Sequence, residues 1–482
     1  MNFEAATLVR LCMKAESWEL SREEFGHAEV GDTRRNARVV AMGAAAFESP
    51  SGKVAAVFGI EREREAAYDF LENDLVDAED IMASVAKATA LRARGLPFVF
   101  VPVDGSSISV ADRARKRDFG NVGNDSHGAR GLKLVDALAV DPDGTVIGWL
   151  ALTFWARAAK REILGTHARK TRPLEQKETR FWVQTIRAAQ AVLDEHKLRG
   201  WFQIDREGDG RDMLLALEDT AHWWTVRGNQ DRSIELEGGS KDQLRSQMSS
   251  RPVAGHYTLD VTARPGRKAR TARMVVRSAE VVLRLREPRT KRITKLAVNV
   301  VWAREEGTTP AKEAPIDWLL FTNRPIASFD DAKLVLDGYA QRWRVEECHR
   351  TWKSGECDVE STQLESFDAV RRWATILAPV ATRTERLKRL ARKETTRDLP
   401  ATVELGPLEI RALKLLKFGR DDDARVPTVA EAVAWLAELG GFTNKYSGKP
   451  PGSIVLGRGL RKLRPAAQIL AIQTRCERSV HS

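Results

Sequence analysis

The stretch 339-YAQRWRVEECHRTWKSG-355 governs the reading of the chain. Tyr339, Arg342, Glu346 and Lys353 are separated by 3, 4 and 7 residues. At about 100° per residue those steps hold all four within an arc of roughly 60° on one helix face, and Arg350 shares it. Apolar residues at this spacing would signal packing. Here one carboxylate is ringed by cations and a phenol. Two readings are open: a cluster that holds a metal ion beside a phosphate backbone, or a solvated helix with ordinary ion pairs four apart. The helix is expected to begin at Asp330 or Asp331 and to run to about Ser354.

Working upstream, acids recur at the tips of apolar runs. The run 96-LPFVFVPV-103 reads as a strand buried on both faces, closed by Asp104. A carboxylate there is costly unless a partner or metal meets it, although Asp104-Gly105 also suits a plain turn. Two more strands follow, 132-LKLVDALAV-140 and 145-TVIGWLALTFW-155, joined by 141-DPDG-144. A helix over 181-FWVQTIRAAQAVLDEH-196 leads to the short strand 201–204, which ends at Asp205. A second helix, 211-RDMLLALED-219, precedes a fifth strand, 222-HWWTVRGN-229, ending near Arg227. Asp209 and Asp212 read as turn or solvent residues. The order of three strands, helix, strand, helix, strand matches an α/β, ribonuclease-H-like (retroviral integrase-like) core. In that core the first and fourth strands are neighbours and bring two carboxylates together.

Residues from about 230 to 322 interrupt this plan. Alternating runs at 256–263, 273–286 and 296–305 predict strands of an inserted β-rich subdomain, flanked by the basic clusters 266-GRKAR-270 and 289-RTKRITK-295. The strand 316-IDWLLFTN-323 carries Trp318 near its start. Residues 1 to about 75 read as helical. Within them 31-GDTRRNAR-38 offers Asp32 or Thr33 as a cap and places Arg34, Arg35 and Arg38 in the first turns. Such a basic helix start either touches nucleic acid or is an exposed basic turn. From about 373 the pattern is helical again. In 427-PTVAEAVAWLAELGG-441 Thr428 and Glu431 form a capping box, and Val429, Val433, Leu436 and Leu439 share a face. That face packs either within the domain or against a second copy.

Composition sets the bounds. A chain of 482 residues allows roughly two to four domains. With 43% hydrophobic residues it can fill a core, and its net charge of +11 suits a polyanionic partner. Cys12, Cys348, Cys357 and Cys476 have no zinc-type pairing, even with His349 nearby, and are too few for a disulfide framework. No apolar run approaches the about 18 residues of a membrane span, and no signal-peptide core is visible. The expectation is a soluble, cytoplasmic protein.

With these residues in place, the chain resembles bacterial cut-and-paste DDE transposases of the insertion-sequence-four family. Tyr339, Arg342, Glu346 and Lys353 fit that family's Y-(2)-R-(3)-E-(6)-K signature. The likeness takes in 31-GDTRRNAR-38, 66-AAYDFLEN-73, Asp104, Asp205 with Arg206-Glu207, Arg227 and 318-WLLFTN-323.

The resemblance implies that Asp104, Asp205 and Glu346 are the catalytic acids and hold two Mg²⁺ per site, with Mn²⁺ able to substitute. It implies that Arg34, Arg35 and Arg38 bind transposon-end inverted-repeat DNA. Arg227, Arg342, Arg350 and Lys353 would hold phosphates near the cut, and Tyr339 would position the strand. Trp318 would hold a flipped base during hairpin formation, unless it only packs in the core. The reaction implied is water attack at the transposon end, hairpin formation by the freed 3′-hydroxyl, reopening, and joining to target DNA.

The implied assembly is a homodimer in a synaptic complex, associated with the bacterial nucleoid and with no membrane. The domains expected are an end-DNA-binding domain at 1–75, a catalytic domain at 76–372 with its insertion at about 230–322, and a helical, dimerising domain at 373–482. Two alternatives remain: a non-catalytic DNA-binding regulator, and a ribonuclease-H-like nuclease that only hydrolyses.

Overall fold

A computed structural model describes residues 15–112, 118–123, 129–158, 165, 168, 171–263, 267–310, 313–420, 425–443 and 450–480. Cys12 and residue 266 of the first basic cluster lie outside these. In chain order the N-terminal helices are α1 (Ala15–Phe25), α2 (Thr33–Glu48), α3 (Val54–Val57), α4 (Glu61–Leu71) and α5 (Ala78–Arg92). Then come β1 (Val99–Val110), β2 (Gly120–Asn121), β3 (Arg130–Val140), β4 (Val146–Trp155), α6 (Thr179–Glu195), β5 (Gly200–Ile204), α7 (Arg211–Glu218) and β6 (Trp223–Arg227). The next stretch holds β7 (Ser233–Glu235), β8 (Lys241–Gln243), α8 (Leu244–Ser250), β9 (Gly255–Val261), β10 (Arg270–Arg286), β11 (Ile293–Glu306) and β12 (Asp317–Thr322). The chain ends with α9 (Phe329–Ala340), α10 (Trp343–Lys353), α11 (Phe367–Leu390), α12 (Pro407–Phe418), α13 (Val429–Leu439) and α14 (Ser453–Val480).

The chain divides into two compact units. The first comprises Met1–Arg94, Gly105–Arg161 and Arg344–Ser482. Its strand order is β2-β3-β1, with β4 antiparallel on β3. α11 is its central helix, buried along most of its length. Indole N–H groups are satisfied on its backbone: Trp149 donates to the Ala378 carbonyl at 3.0 Å and Trp352 to the Ala374 carbonyl at 2.9 Å. The capping box of α13 forms as its sequence dictates, with Thr428 and Glu431 bonding each other's backbone. The apolar face of α13 is covered by the chain's own helices. Val429, Val433 and Leu436 share a cluster with Leu413 of α12 and Leu456, Leu460 and Leu463 of α14. The reading of that face as a contact with a second copy is therefore withdrawn.

The second unit comprises Gly95–Asp104 and Glu162–Trp343. The first half of β1 pairs in parallel with β5, and β5 in parallel with β6. β12 runs antiparallel to β6, and the sheet continues through β11, β10, β7 and β8. The strands of 230–322 thus join the same sheet through β12. β10 and β11 form its longest ladder, from Arg273 opposite Glu306 to Arg286 opposite Ile293. α9 lies so close to the sheet that a Cβ on Gly338 would meet Phe100 at 2.5 Å, which explains the glycine.

Two local expectations are corrected. β1 does not stop at Asp104 but runs on to Val110; what ends at Val103 is its fully buried part. The single helix expected from Asp330 to Ser354 is two helices. Gln341 and Arg342 donate to Gly338 and Tyr339, at 3.1 and 3.0 Å, so the ladder tightens from four residues to three. The helical phase resets there. Tyr339 belongs to α9, whereas Glu346, Arg350 and Lys353 belong to α10.

Candidate active site and nucleic-acid interface

In the second unit, Val103 of β1 is registered against Ile204 of β5. Asp104 continues β1 and Asp205 directly follows β5, two parallel strands whose axes lie about 4.8 Å apart. Both acids are half-buried. Asp205 caps a 3₁₀ turn, its Oδ1 accepting from the Glu207 N–H at 2.7 Å. Asp104 Oδ2 lies 3.7 Å from Arg342 Nη1.

Asp205 borders a cavity of about 890 Å³. Six arginines line it (Arg206, Arg227, Arg245, Arg267, Arg270 and Arg342) against three carboxylates, Asp205, Glu313 and Asp317. Its aromatic lining is Trp318, Tyr339 and Trp343. Trp318 meets Tyr339 edge-on, with centroids 5.6 Å apart at 72°. Burial pushes the Tyr339 phenol up, Asp205 adds to this, and Arg342 and Arg227 oppose it. Arg227 also donates to the Asp317 carbonyl at 3.0 Å. A cavity with excess guanidinium and an edge of aromatic rings suits phosphate and a planar group together.

In the first unit, Glu346 is half-buried in the first turn of α10. Lys353, seven residues on, reaches Ser106 Oγ at 3.2 Å and Glu360 at 3.7 Å. Arg350 is exposed. At the other end of the chain, Asp32 rather than Thr33 caps α2. Its Oδ1 accepts from the Arg34 and Arg35 N–H groups, both at 2.9 Å. Arg34 and Arg38 are exposed on that first stretch and Arg35 is half-buried.

Some site-related residues differ from their sequence reading. Asp209 is no solvent residue: its carboxylate is buried, pairs with Arg232 and accepts the Asn229 N–H at 2.7 Å, shaping the turn that follows Arg227. Asp212 pairs with Lys177 at 3.1 Å. Cys348 and Cys357 are buried free thiols whose pKa burial pushes well up. His349 bonds Asp136, not a metal partner set. Asp136 escaped notice, yet an acid amid the apolar run of β3 was its signal.

The hard oxygens of Asp104 and Asp205 are the donor type that Mg²⁺ and Mn²⁺ prefer. Among the described residues, no three His, Cys, Asp or Glu side chains are gathered as a metal-holding set. Among them, too, no helix is long and apolar enough to cross a membrane.

Two family models match the chain. The model "Transposase DNA-binding" matches residues 16–76, which include Arg34, Arg35 and Arg38. The model "Transposase DDE domain" matches residues 226–382, which include Arg227, Trp318, Tyr339, Arg342, Glu346, Arg350 and Lys353 and begin beyond Asp104 and Asp205. A DDE domain implies a ribonuclease-H-like fold and supports metal-dependent cleavage and transfer of DNA; the first match suggests binding of transposon-end DNA. Residues 16–76 are thus similar to a transposase DNA-binding domain and residues 226–382 to a transposase DDE domain.

Proposed function

We propose that the protein is a cut-and-paste transposase of the insertion-sequence-four type, of the kind the transposon-five transposase represents. It cuts transposon ends through a hairpin and joins the 3′-hydroxyl ends to target DNA. Asp104, Asp205 and Glu346 are its catalytic acids. They would hold Mg²⁺, two per site, with Mn²⁺ substituting. Bound there, the metal supplies an activated oxygen nucleophile and stabilises the leaving oxygen.

The observation that carries this reading is the pair of carboxylates that follow the registered Val103 and Ile204 of β1 and β5, with Asp205 on the rim of an arginine-rich cavity. Arg227 and Arg342 would neutralise phosphates near the cut, and Arg350 and Lys353 would do so from α10. Tyr339 positions the strand, and Trp318 stacks on a base turned out of the duplex. Arg34, Arg35 and Arg38 contact the inverted repeat, and two copies of the chain pair the two ends on the bacterial nucleoid. The domain limits that go with this reading are 1–75, 76–372 with an insertion at about 230–322, and 373–482.

The test uses the full chain, end-bearing DNA and Mg²⁺. Asp104→Asn and Glu346→Gln are expected to bind the end and leave it uncut. Full cleavage by both variants sinks the proposal. Cutting without joining to a target plasmid points instead to a nuclease, and a band shift with no cutting by the unsubstituted chain to a regulator.

A further inference from the structure

In the first unit, Asp136 stands mid-way along β3 with its side chain fully buried. Its Oδ2 accepts from His349 Nε2–H at 2.5 Å. The Trp149 ring stacks on the imidazole, with centroids 6.4 Å apart at 14°. The other carboxylate oxygen, Oδ1, is buried and has no hydrogen-bond partner among the described residues. A half-satisfied carboxylate in an apolar strand is costly, and replacing such a pair by apolar residues is often neutral or stabilising. Stability therefore gives little reason to keep Asp136.

We infer that Asp136 and His349 are a positioning pair that sets the rotation of α10, the helix that carries Glu346 and Lys353; the inference rests on the role proposed for Glu346. The other contacts of the inner face of α10 are largely apolar: Val345, Cys348 and Trp352 are buried with His349. Apolar contacts hold a helix against a sheet without fixing its turn about its own axis. A directional hydrogen bond does fix it. Glu346 is three residues before His349 and Lys353 four after it, roughly 60° and 40° round the helix wheel on the same side of it. A small rotation about the helix axis thus moves both at once.

α10 has a second polar anchor. Thr351 bonds Glu385 of α11, and Glu347 pairs with Lys388 at 3.3 Å. That anchor ties α10 to α11. The Asp136 pair ties it to the sheet, and two anchors in different directions define one rotation.

The test compares Asp136→Ala, Asp136→Asn and the double variant Asp136→Leu/His349→Leu in the full chain. Each is measured for melting, for end-DNA band shift and for single-turnover cleavage in Mg²⁺. Asp136→Ala is expected to bind end DNA as the parent does but to cleave at least about tenfold more slowly, as misplaced reacting groups do. Asp136→Asn keeps an oxygen acceptor for the imidazole and restores cleavage.

The double variant is expected to melt no lower than the parent and still to cleave slowly, which separates positioning from stability. Parental cleavage rates in Asp136→Ala or in the folded double variant overturn the inference. So does a loss in Asp136→Asn equal to that in Asp136→Ala. Full cleavage by both Asp104→Asn and Glu346→Gln overturns the proposed function itself, whatever these variants do.

Discussion

Arg342 Nη1 stands 3.7 Å from Asp104 Oδ2, on the rim of the same cavity that Asp205 borders. At that distance the pair is a loose Coulombic contact rather than a tight hydrogen bond. From the cavity rim a guanidinium can reach a phosphate. Arg342→Gln is expected to weaken end-DNA binding by about 1.5–3 kcal/mol and to lower the slope of log affinity on log salt by about one. Band shifts over a salt series measure both. An unchanged slope removes Arg342 from the DNA.

The edge-on contact of Trp318 with Tyr339 leaves the indole half-buried on the cavity wall. If a base stacks there, the loss is confined to the step that needs it. Trp318→Ala should leave the first nick intact and slow hairpin formation by about 5- to 150-fold, matching about 1–3 kcal/mol of stacking per base. Trp318→Phe should keep most of that rate. Equal slowing of both steps would mean that Trp318 only packs.

The buried runs were legible, though not the end of β1, because long apolar stretches leave few choices. A run like 99-VFVPV-103 must be buried, and the acid after it must stand at a rim. The capping box of α13 was legible for a similar reason, since Thr428 and Glu431 are partners three residues apart. What was hidden depends on residues far away in the chain. Asp136 and His349 are 213 positions apart, and only the fold makes them neighbours. Asp209 looked like a turn residue because Arg232 is on another turn. The break at Gln341–Arg342 has no proline or glycine at the break itself. Helical periodicity ran straight through it and placed Tyr339 on the helix of Glu346.

Asp32 satisfies two N–H groups at the start of α2, those of Arg34 and Arg35. These bonds and the neighbouring arginines hold its carboxyl below the usual range. Asp32→Ala should fray this turn, losing order in Arg34 and Arg35 and severalfold in end-DNA affinity. Asp32→Asn, which keeps an acceptor, should bind nearly as well as the parent. A variant Asp32→Ala that binds normally would show that the arginines act without the cap.

The Arg383 and Glu409 side chains are almost fully buried and meet at 2.7 Å. Burial pushes the Glu409 carboxyl up, but the charge and hydrogen bonds of Arg383 outweigh it, so its pKa lies below the usual range. A carboxylate lowered on folding stabilises above its unfolded pKa, about 4 to 4.5, and loses that contribution as pH falls through its folded value. Arg383→Met leaves the charge buried and unpaired, at a cost of about 3–5 kcal/mol at neutral pH. In the variant, burial is still opposed by the Gly406 N–H and Arg464 but no longer by Arg383, and the carboxyl takes up a proton more readily. The gap in melting temperature from the parent should therefore be widest near pH 7 and close towards pH 4. Arg383→Met/Glu409→Leu should recover most of the loss, because neither member of the pair is left buried and unpaired. A gap that stays constant with pH would mean that lost packing, not the stranded carboxylate, is responsible.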